Sequence, residues 1–314
     1  MKIYKDFKPT PKNCGFETVA TLGTFDGVHI GHRHILNRVV TRAKKTGVKA
    51  VVLTFDCHPV SIIKPGFSPK LLTTLDEKLV IFESTGIDIT FVLTFTKHIA
   101  NMTADQFIKE YLIDCLGMNY FVVGYDHSLG KDRAASSDKL QEYSQKLNFN
   151  LEIVQPIKRE GIIVNSSTIR NHVMQGRIDL ASVLLGEDYS FLGQVVEGRG
   201  IGKEIGFPTA NIVPINSGKI IPANGVYAGW IEIEHEKRYA VINIGPKPTF
   251  DVKEELIEIH IPDYEINLYN KILRIGFVRK LRNIEKFESK QALIQQIKND
   301  IDNSKHFITN KMFN

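Results

Sequence analysis

His29 and His32, separated by Ile30 and Gly31, are the residues best suited to chemistry in the first half of the chain. They close the run Gly23-Thr24-Phe25-Asp26-Gly27-Val28-His29-Ile30-Gly31-His32, which lies where a short apolar run ends and an amphipathic stretch begins. A strand that turns into a helix start offers free backbone N–H groups at the positive end of a dipole, a natural seat for phosphate. Gly27 and Gly31 let the backbone approach a ligand closely, and the two imidazoles add side-chain donors. Donors fixed in advance around a phosphoryl centre stabilise the charge that gathers on its non-bridging oxygens.

A second helix start lies late in the same half, at Asn165-Ser166-Ser167-Thr168-Ile169-Arg170. The hydroxyls of Ser166 and Ser167 can cap the helix, and Arg170 presents a fork of donors to a pyrophosphate. Two anion-binding helix starts in one α/β domain imply ATP straddling them. Thr54-Phe55-Asp56-Cys57-His58-Pro59 and Gly124-Tyr125-Asp126-His127 both follow strand ends, where open α/β sheets take ligands, so His58 and Asp126 join the candidates. For His58, a plain turn histidine beside Pro59 is the competing reading.

The second half carries a different set. Gly198, Gly200 and Gly202 permit a flap whose backbone wraps phosphates, with Lys203 beside them. The segment is no Walker A loop, because Lys203 is followed by Glu204 rather than Ser or Thr. Pro208 fixes its own φ, and Thr209 and Asn211, two apart on a strand, aim at one point. A hydroxyl and an amide oxygen suit a hard ion such as Mg²⁺ bridging ATP phosphates. Glu258 alternates with Ile257 and Ile259 and faces away from the apolar side, as either a base or a solvated strand glutamate would.

The elements that must position these residues follow from periodicity. Val19 to Leu22, Ala50 to Thr54, Ile89 to Leu93, Phe121 to Val123 and Leu151 to Val154 are short apolar runs separated by amphipathic stretches, which predicts βαβ units on a parallel sheet. Thr103 is placed to cap a helix through Phe107, Ile108 and Leu112. Beyond Gly186 the texture becomes antiparallel β, closing into a small barrel, with a final helix from Ser289 to Ile301. The expected boundary gives domains 1–186 and 187–314. Trp230 and Tyr239 are the aromatic residues a nucleic-acid-binding barrel would use as platforms, but Trp230 better suits a core.

At this point the paired motifs resemble the H-x-G-H and S-S-x-x-I-R signatures of the adenylyltransferase superfamily, in its FMN adenylyltransferase branch. The resemblance implies that His29 and His32 act at the α-phosphate of ATP, with Gly23, Phe25 and Gly31 around it. It also implies Ser166, Ser167 and Arg170 on the outer phosphates and His58 and Asp126 on the flavin. Gly193 to Ile212, Pro222 to Tyr227, Asn243 to Phe250 and Glu258 to Ile261 resemble, in order, the motifs of riboflavin kinase. That likeness implies Thr209 and Asn211 as magnesium ligands and Glu258 as catalytic base. It places Gly198, Gly200, Gly202, Lys203, Pro208 and Arg282 at ATP or flavin. A bifunctional enzyme taking riboflavin through FMN to FAD, with ATP and Mg²⁺, is the expectation.

Totals agree with that expectation and exclude others. At 314 residues, two cores are expected. A formal charge of +5, with Lys and Arg spread along the chain, suits phosphate-bearing ligands better than a nucleic-acid track. Cys14, Cys57 and Cys115 are odd in number and far apart, which argues against a disulfide framework or a zinc site and for the cytoplasm. No run of about 18 apolar residues suggests a membrane span. Homo-oligomer formation is compatible with the sequence.

Overall fold

The computed structural model describes residues 1–5, 7, 15–131, 136–198, 201–246, 255–264 and 267–312. Cys14, Gly200 and the expected kinase-motif residues 247–250 lie outside the described residues. Contacts divide the chain into two compact units, Met1–Ser166 and Ser167–Asn314.

In the first unit, β1 (Lys2–Tyr4), β2 (Thr18–Leu22), β3 (Lys49–Phe55), β4 (Ile89–Leu93), β5 (Met118–Gly124) and β6 (Asn150–Val154) form a sheet in the order β1-β4-β3-β2-β5-β6. All five pairings are parallel. α1 (Ile30–Thr46) follows β2; α2 (Pro59–Ile63) and α3 (Leu75–Ser84) follow β3; α4 (Lys97–Asn101) and α5 (Ala104–Phe107) follow β4; α6 (Ser137–Lys146) follows β5. Thr103 caps α5 as expected, but the chain beyond Phe107 runs on as a π-helical turn, Ile108–Ile113.

Alternate residues of β2, β3 and β4 feed two cores. Ala20, Leu22, Val51, Leu53, Phe91 and Leu93 pack on one face with Phe107, Ile108 and Leu140. Val19, Ala50, Val52 and Val92 pack on the other with Leu36 and Val39 of α1 and Leu79 and Phe82 of α3. Burial on both faces is why these strands read as unbroken apolar runs. The order reverses between β2 and β5, so the ends of these two strands frame the crevice where such sheets take ligands.

A short hairpin, β7 (Lys158–Arg159) and β8 (Ile162–Ile163), closes the unit and leads to α7 (Ser166–Met174) and α8 (Ile178–Leu185). α8 packs on barrel strands and ends at Gly186 with φ 81°. The second unit thus gathers these two helices, beginning some twenty residues before the boundary read from the change of texture.

The barrel comprises β9 (Tyr189–Val196), β10 (Thr209–Pro214), β11 (Gly225–Ile233), β12 (Glu236–Pro246), β13 (Glu255–His260) and β14 (Ile272–Arg282). They close in the order β10-β13-β12-β11-β14-β9 through antiparallel pairs, which removes every exposed edge. One turn of helix, α9 (Ile201–Glu204), lies between β9 and β10, and α10 (Lys290–Met312) packs on β11, β12 and β14. Ser289 accepts the Ala292 N–H at the start of α10, which runs eleven residues past the expected end. Trp230 is 3% exposed and donates to Asp188, a core residue rather than a platform.

Candidate active sites

The loop from Thr24 to Val28 turns the chain from β2 into α1 by an unusual route. Phe25, Gly27 and Val28 have φ of 49°, 84° and 35°. A β-branched residue such as Val28 at positive φ is a genuine outlier, and strain of this kind costs roughly 1–3 kcal/mol per residue unless the surroundings enforce it. Here they do. The buried Asp26 carboxylate accepts the Leu72 N–H at 2.9 Å and the Thr73 N–H at 3.0 Å. Gly27 donates to the Thr73 hydroxyl, Arg33 donates to the Val28 carbonyl, and Ser166 donates to the Asp26 carbonyl. Buried Lys78 donates to the Thr24 carbonyl at 2.8 Å.

This loop delivers His29 as the N-cap of α1, its Nδ1 accepting the His32 N–H at 3.3 Å. An accepting Nδ1 carries no proton, so the ring is neutral with its hydrogen on Nε2. Burial accounts for that state, lowering the His29 pKa to about 4. His32 stacks on His29 with centroids 3.6 Å apart, and burial, then His29 and Lys78, push its pKa well below the usual value. Each histidine therefore offers the site a neutral imidazole. Gly31 leaves the His29 ring its place, since a Cβ there would stand 3.2 Å from it and press the ring aside by a few tenths of an ångström. Phe25 sets its ring edge against His32, and Gly23 ends β2 by donating to Leu53.

The histidines, Gly31, Asp126 and Ser166 line one cleft of about 100 Å³, together with the ends of β5 and β6 at Gly124, Val154 and Gln155. No acidic residue occupies the first turn of α1, which leaves its dipole available to an anion. Ser167 and Arg170 lie on α7, immediately after Ser166. His58 does not join the cleft; it caps α2, accepting the Val60 N–H ahead of Pro59 at the first helical position.

The barrel holds a much larger cavity, about 790 Å³, lined by Gly198, Gly202, Thr209, Asn211, Glu258 and Arg282 among others. Strand register builds its polar wall. Asn211 of β10 and Asn243 of β12 both stand opposite Glu258 of β13, and Thr209 stands opposite His260. Asn243 donates to the Glu258 carboxylate at 3.3 Å. Glu258 thus faces into the cavity while Ile257 and Ile259 are buried beside it. Gly198 packs directly on the Asn211 amide, and a Cβ there would come within 1.7 Å of it.

Pro208 and Lys203 stand back from the cavity. The Pro208 carbonyl instead holds the His260 ring at 2.8 Å, and Lys203 is in α9. Arg282 reaches the cavity wall but is committed to Asp300 of α10, with Nε and Nη2 both within 3.0 Å of Oδ2. Arg282 therefore ties β14 to α10. The sequence reading assigned no role to Asp26, Lys78, Asn243 or His260. Asn243 was the findable one, as a polar residue inside the apolar run Val241 to Ile244. Nothing local marks Lys78, which the sequence places on an ordinary amphipathic helix.

Comparison with known proteins accounts for both halves. Residues 12–168 match the FAD synthetase family and residues 185–308 the riboflavin kinase family. The chain is 33% identical over 312 residues to the bifunctional riboflavin kinase/FMN adenylyltransferase of Buchnera aphidicola subsp. Schizaphis graminum (strain Sg), covering 96% of each chain. It is 32% identical over 299 residues to the protein of that description from Bacillus subtilis (strain 168), covering 94% of this chain and 93% of that one. The Escherichia coli (strain K12) protein of the same description is 32% identical over 283 residues, 90% of each chain. A crystal structure described as a macrolide-efflux protein from Streptococcus pneumoniae superposes with a TM-score of 0.88 at 28% identity, covering 97% of this chain and 99% of that one. Among the described residues no helix is long and apolar enough to cross a membrane. With two family matches in chain order and relatives alike over nearly their whole length, the chain belongs to the bifunctional riboflavin kinase/FMN adenylyltransferase family.

Proposed function

We propose that this chain makes FAD from riboflavin in two ATP-dependent steps, one in each half. In the kinase step the 5′-hydroxyl of riboflavin attacks the γ-phosphate of ATP, giving FMN and ADP. In the adenylyltransferase step the FMN phosphate attacks the α-phosphate of ATP, giving FAD and pyrophosphate. The observation that carries the reading is Glu258, set in register between Asn211 and Asn243 on the wall of a cavity of ligand size.

In the kinase half, Glu258 accepts the proton of the attacking hydroxyl, and the Asn243 amide holds its carboxylate in orientation. The Thr209 hydroxyl and the Asn211 amide oxygen form a hard donor pair that fits Mg²⁺, and both residues line the cavity. A magnesium ion held there would neutralise charge on the ATP phosphates. Gly202 closes over them, and Pro208 fixes the approach to Thr209. Arg282 acts by holding α10 against the cavity through Asp300.

In the adenylyltransferase half, neutral His29 and His32 offer N–H donors to the α-phosphate beside the free N–H groups of α1. Ser166, Ser167 and Arg170 hold the outer phosphates, and Asp126 orients the flavin substrate. The roughly 100 Å³ cleft seats the reacting phosphate, the remainder of each substrate lying beyond it. His58 shapes the flavin-side loop through its cap on α2. In function the chain divides into an adenylyltransferase part, residues 1–186, and a kinase part, residues 187–314, and the compartment is the cytoplasm.

Incubating the purified protein with riboflavin, ATP and Mg²⁺ and separating the flavins over time tests the whole reading. FMN appears first and FAD follows. Failure to convert either riboflavin or added FMN would overturn it.

A further inference from the structure

Lys78 is a buried cation that the two-step reaction does not itself call for. It sits on α3, among Leu79, Ile81 and Phe82, which all pack into the core beneath the histidine loop. Its ammonium nonetheless meets three acceptors: the Thr24 carbonyl at 2.8 Å, the Thr54 hydroxyl at 3.1 Å and the Phe55 carbonyl at 3.5 Å. Three acceptors match the three N–H bonds of a charged lysine, whereas a neutral amine would turn a lone pair towards an oxygen. The acceptors belong to two separate segments, the strained loop after β2 and the end of β3.

We propose that Lys78 is a positioning residue for adenylyl transfer: by bonding the Thr24 carbonyl to the end of β3 it locks the loop Thr24–Val28 and so fixes where His29 and His32 stand. The inference rests on the reading of the N-terminal half as the FAD-forming site. Strain at Phe25 and Val28 persists only where surrounding bonds over-determine it. The Asp26 carboxylate and Arg33 hold the later part of the loop, and Lys78 holds its first residue. The capping box of Thr74 and Glu77, immediately before Lys78, fixes the helix that carries it.

Lys78 also sets the charge around the histidines. Burial lowers its pKa to about 8, with Asp26, Asp56 and Cys57 opposing that shift, so it is cationic at neutral pH. Together with the burial of the ring and its neighbour His29, this charge keeps His32 neutral. Asp26 is the opposing carboxylate at His29.

The test is Lys78→Met, which keeps the length and apolar stem while removing the charge. FAD formation from FMN should fall about 10²-fold in kcat, as expected when reacting groups are displaced by about an ångström. The same preparation's formation of FMN from riboflavin serves as the internal control. Amide hydrogen exchange across Thr24–Val28 should accelerate, and the acid limb of the FAD-forming pH profile should move up as His32 loses a neighbouring charge. Wild-type kcat and wild-type exchange in Lys78→Met would overturn the proposal. Should that variant not fold, Thr54→Val, nearly isosteric, must show the lower kcat and the faster exchange in smaller measure, and unchanged values there would overturn it equally. A wild-type protein that forms no FAD would instead refute the parent reading.

Discussion

In the N-terminal unit the candidate reacting groups stand at the start of α1, after a loop with Phe25, Gly27 and Val28 in left-handed space that is held by bonds from α1, α3 and the segment before α3. In the barrel they stand on three neighbouring strands, where Asn211, Glu258 and Asn243 share a row because antiparallel register puts them there. The first arrangement stores strain and depends on side chains distant in sequence. The second costs the backbone nothing, and its precision comes from ladder hydrogen bonds. The two sites also differ in room, about 100 Å³ against about 790 Å³. A small crevice at a strained turn suits a phosphate gripped from several sides, and a wide cavity suits a whole flavin beside a nucleotide.

The contrast is broken most sharply by exchanging losses. Glu258→Ala should lower FMN formation by about 10²–10⁴, the usual worth of a positioned base, while FAD formation from supplied FMN persists. His32→Ala should lower FAD formation by about 10²–10³ and spare FMN formation. Separate assays with riboflavin and with FMN measure each, and loss of both activities in either folded variant would contradict the division.

A stability difference comes next. Arg282, partly buried, pairs with buried Asp300, 16% and 3% exposed, so Arg282→Met leaves the Asp300 carboxylate with the Gln296 amide but without its cation and should cost about 3 kcal/mol. Denaturant unfolding followed by Trp230 fluorescence reports on the barrel. An unchanged midpoint would show that Arg282 serves a ligand rather than the fold.

The smallest effect is in pH. The His29 pKa is lowered from 6.5 to about 4, so between those values the unfolded chain binds a proton that the folded one refuses. Its contribution to stability is complete above pH 6.5 and is lost as pH falls towards 4. His29→Asn keeps a cap acceptor without titrating, and should flatten that part of the stability profile in thermal melts at pH 7, 5.5 and 4.5. A profile identical to wild type would mean that His29 is not the group responsible.

How much the sequence disclosed divides along the same line. Buried strands of the sheet were legible because burial on two faces writes an apolar run, as at Ile89–Leu93. The facing of Glu258, though not its role, was legible because of its period-two alternation with Ile257 and Ile259. β1 was missed, since its three residues are all exposed and carry no apolar pattern. The pairing of Arg282 with Asp300 was not legible, because Asp300 stands eighteen positions on and on another element. His58 showed its turn chemistry but not its absence from the cleft. Lys78 lay hidden because its acceptors are 23 to 54 residues away. Groups set by local period or capping are written in the sequence; groups set by long-range convergence are not.

The measurement that bears most directly on two independent sites is to mix Glu258→Ala with His32→Ala in one vessel with riboflavin, ATP and Mg²⁺. Either variant alone should convert riboflavin to FAD at least about 10²-fold more slowly than the parent protein, but together they should restore the conversion, with free FMN made by one protein and consumed by the other. If FAD failed to appear in the mixture while each variant kept its own remaining step, free FMN would not pass between the two sites and the account would be contradicted.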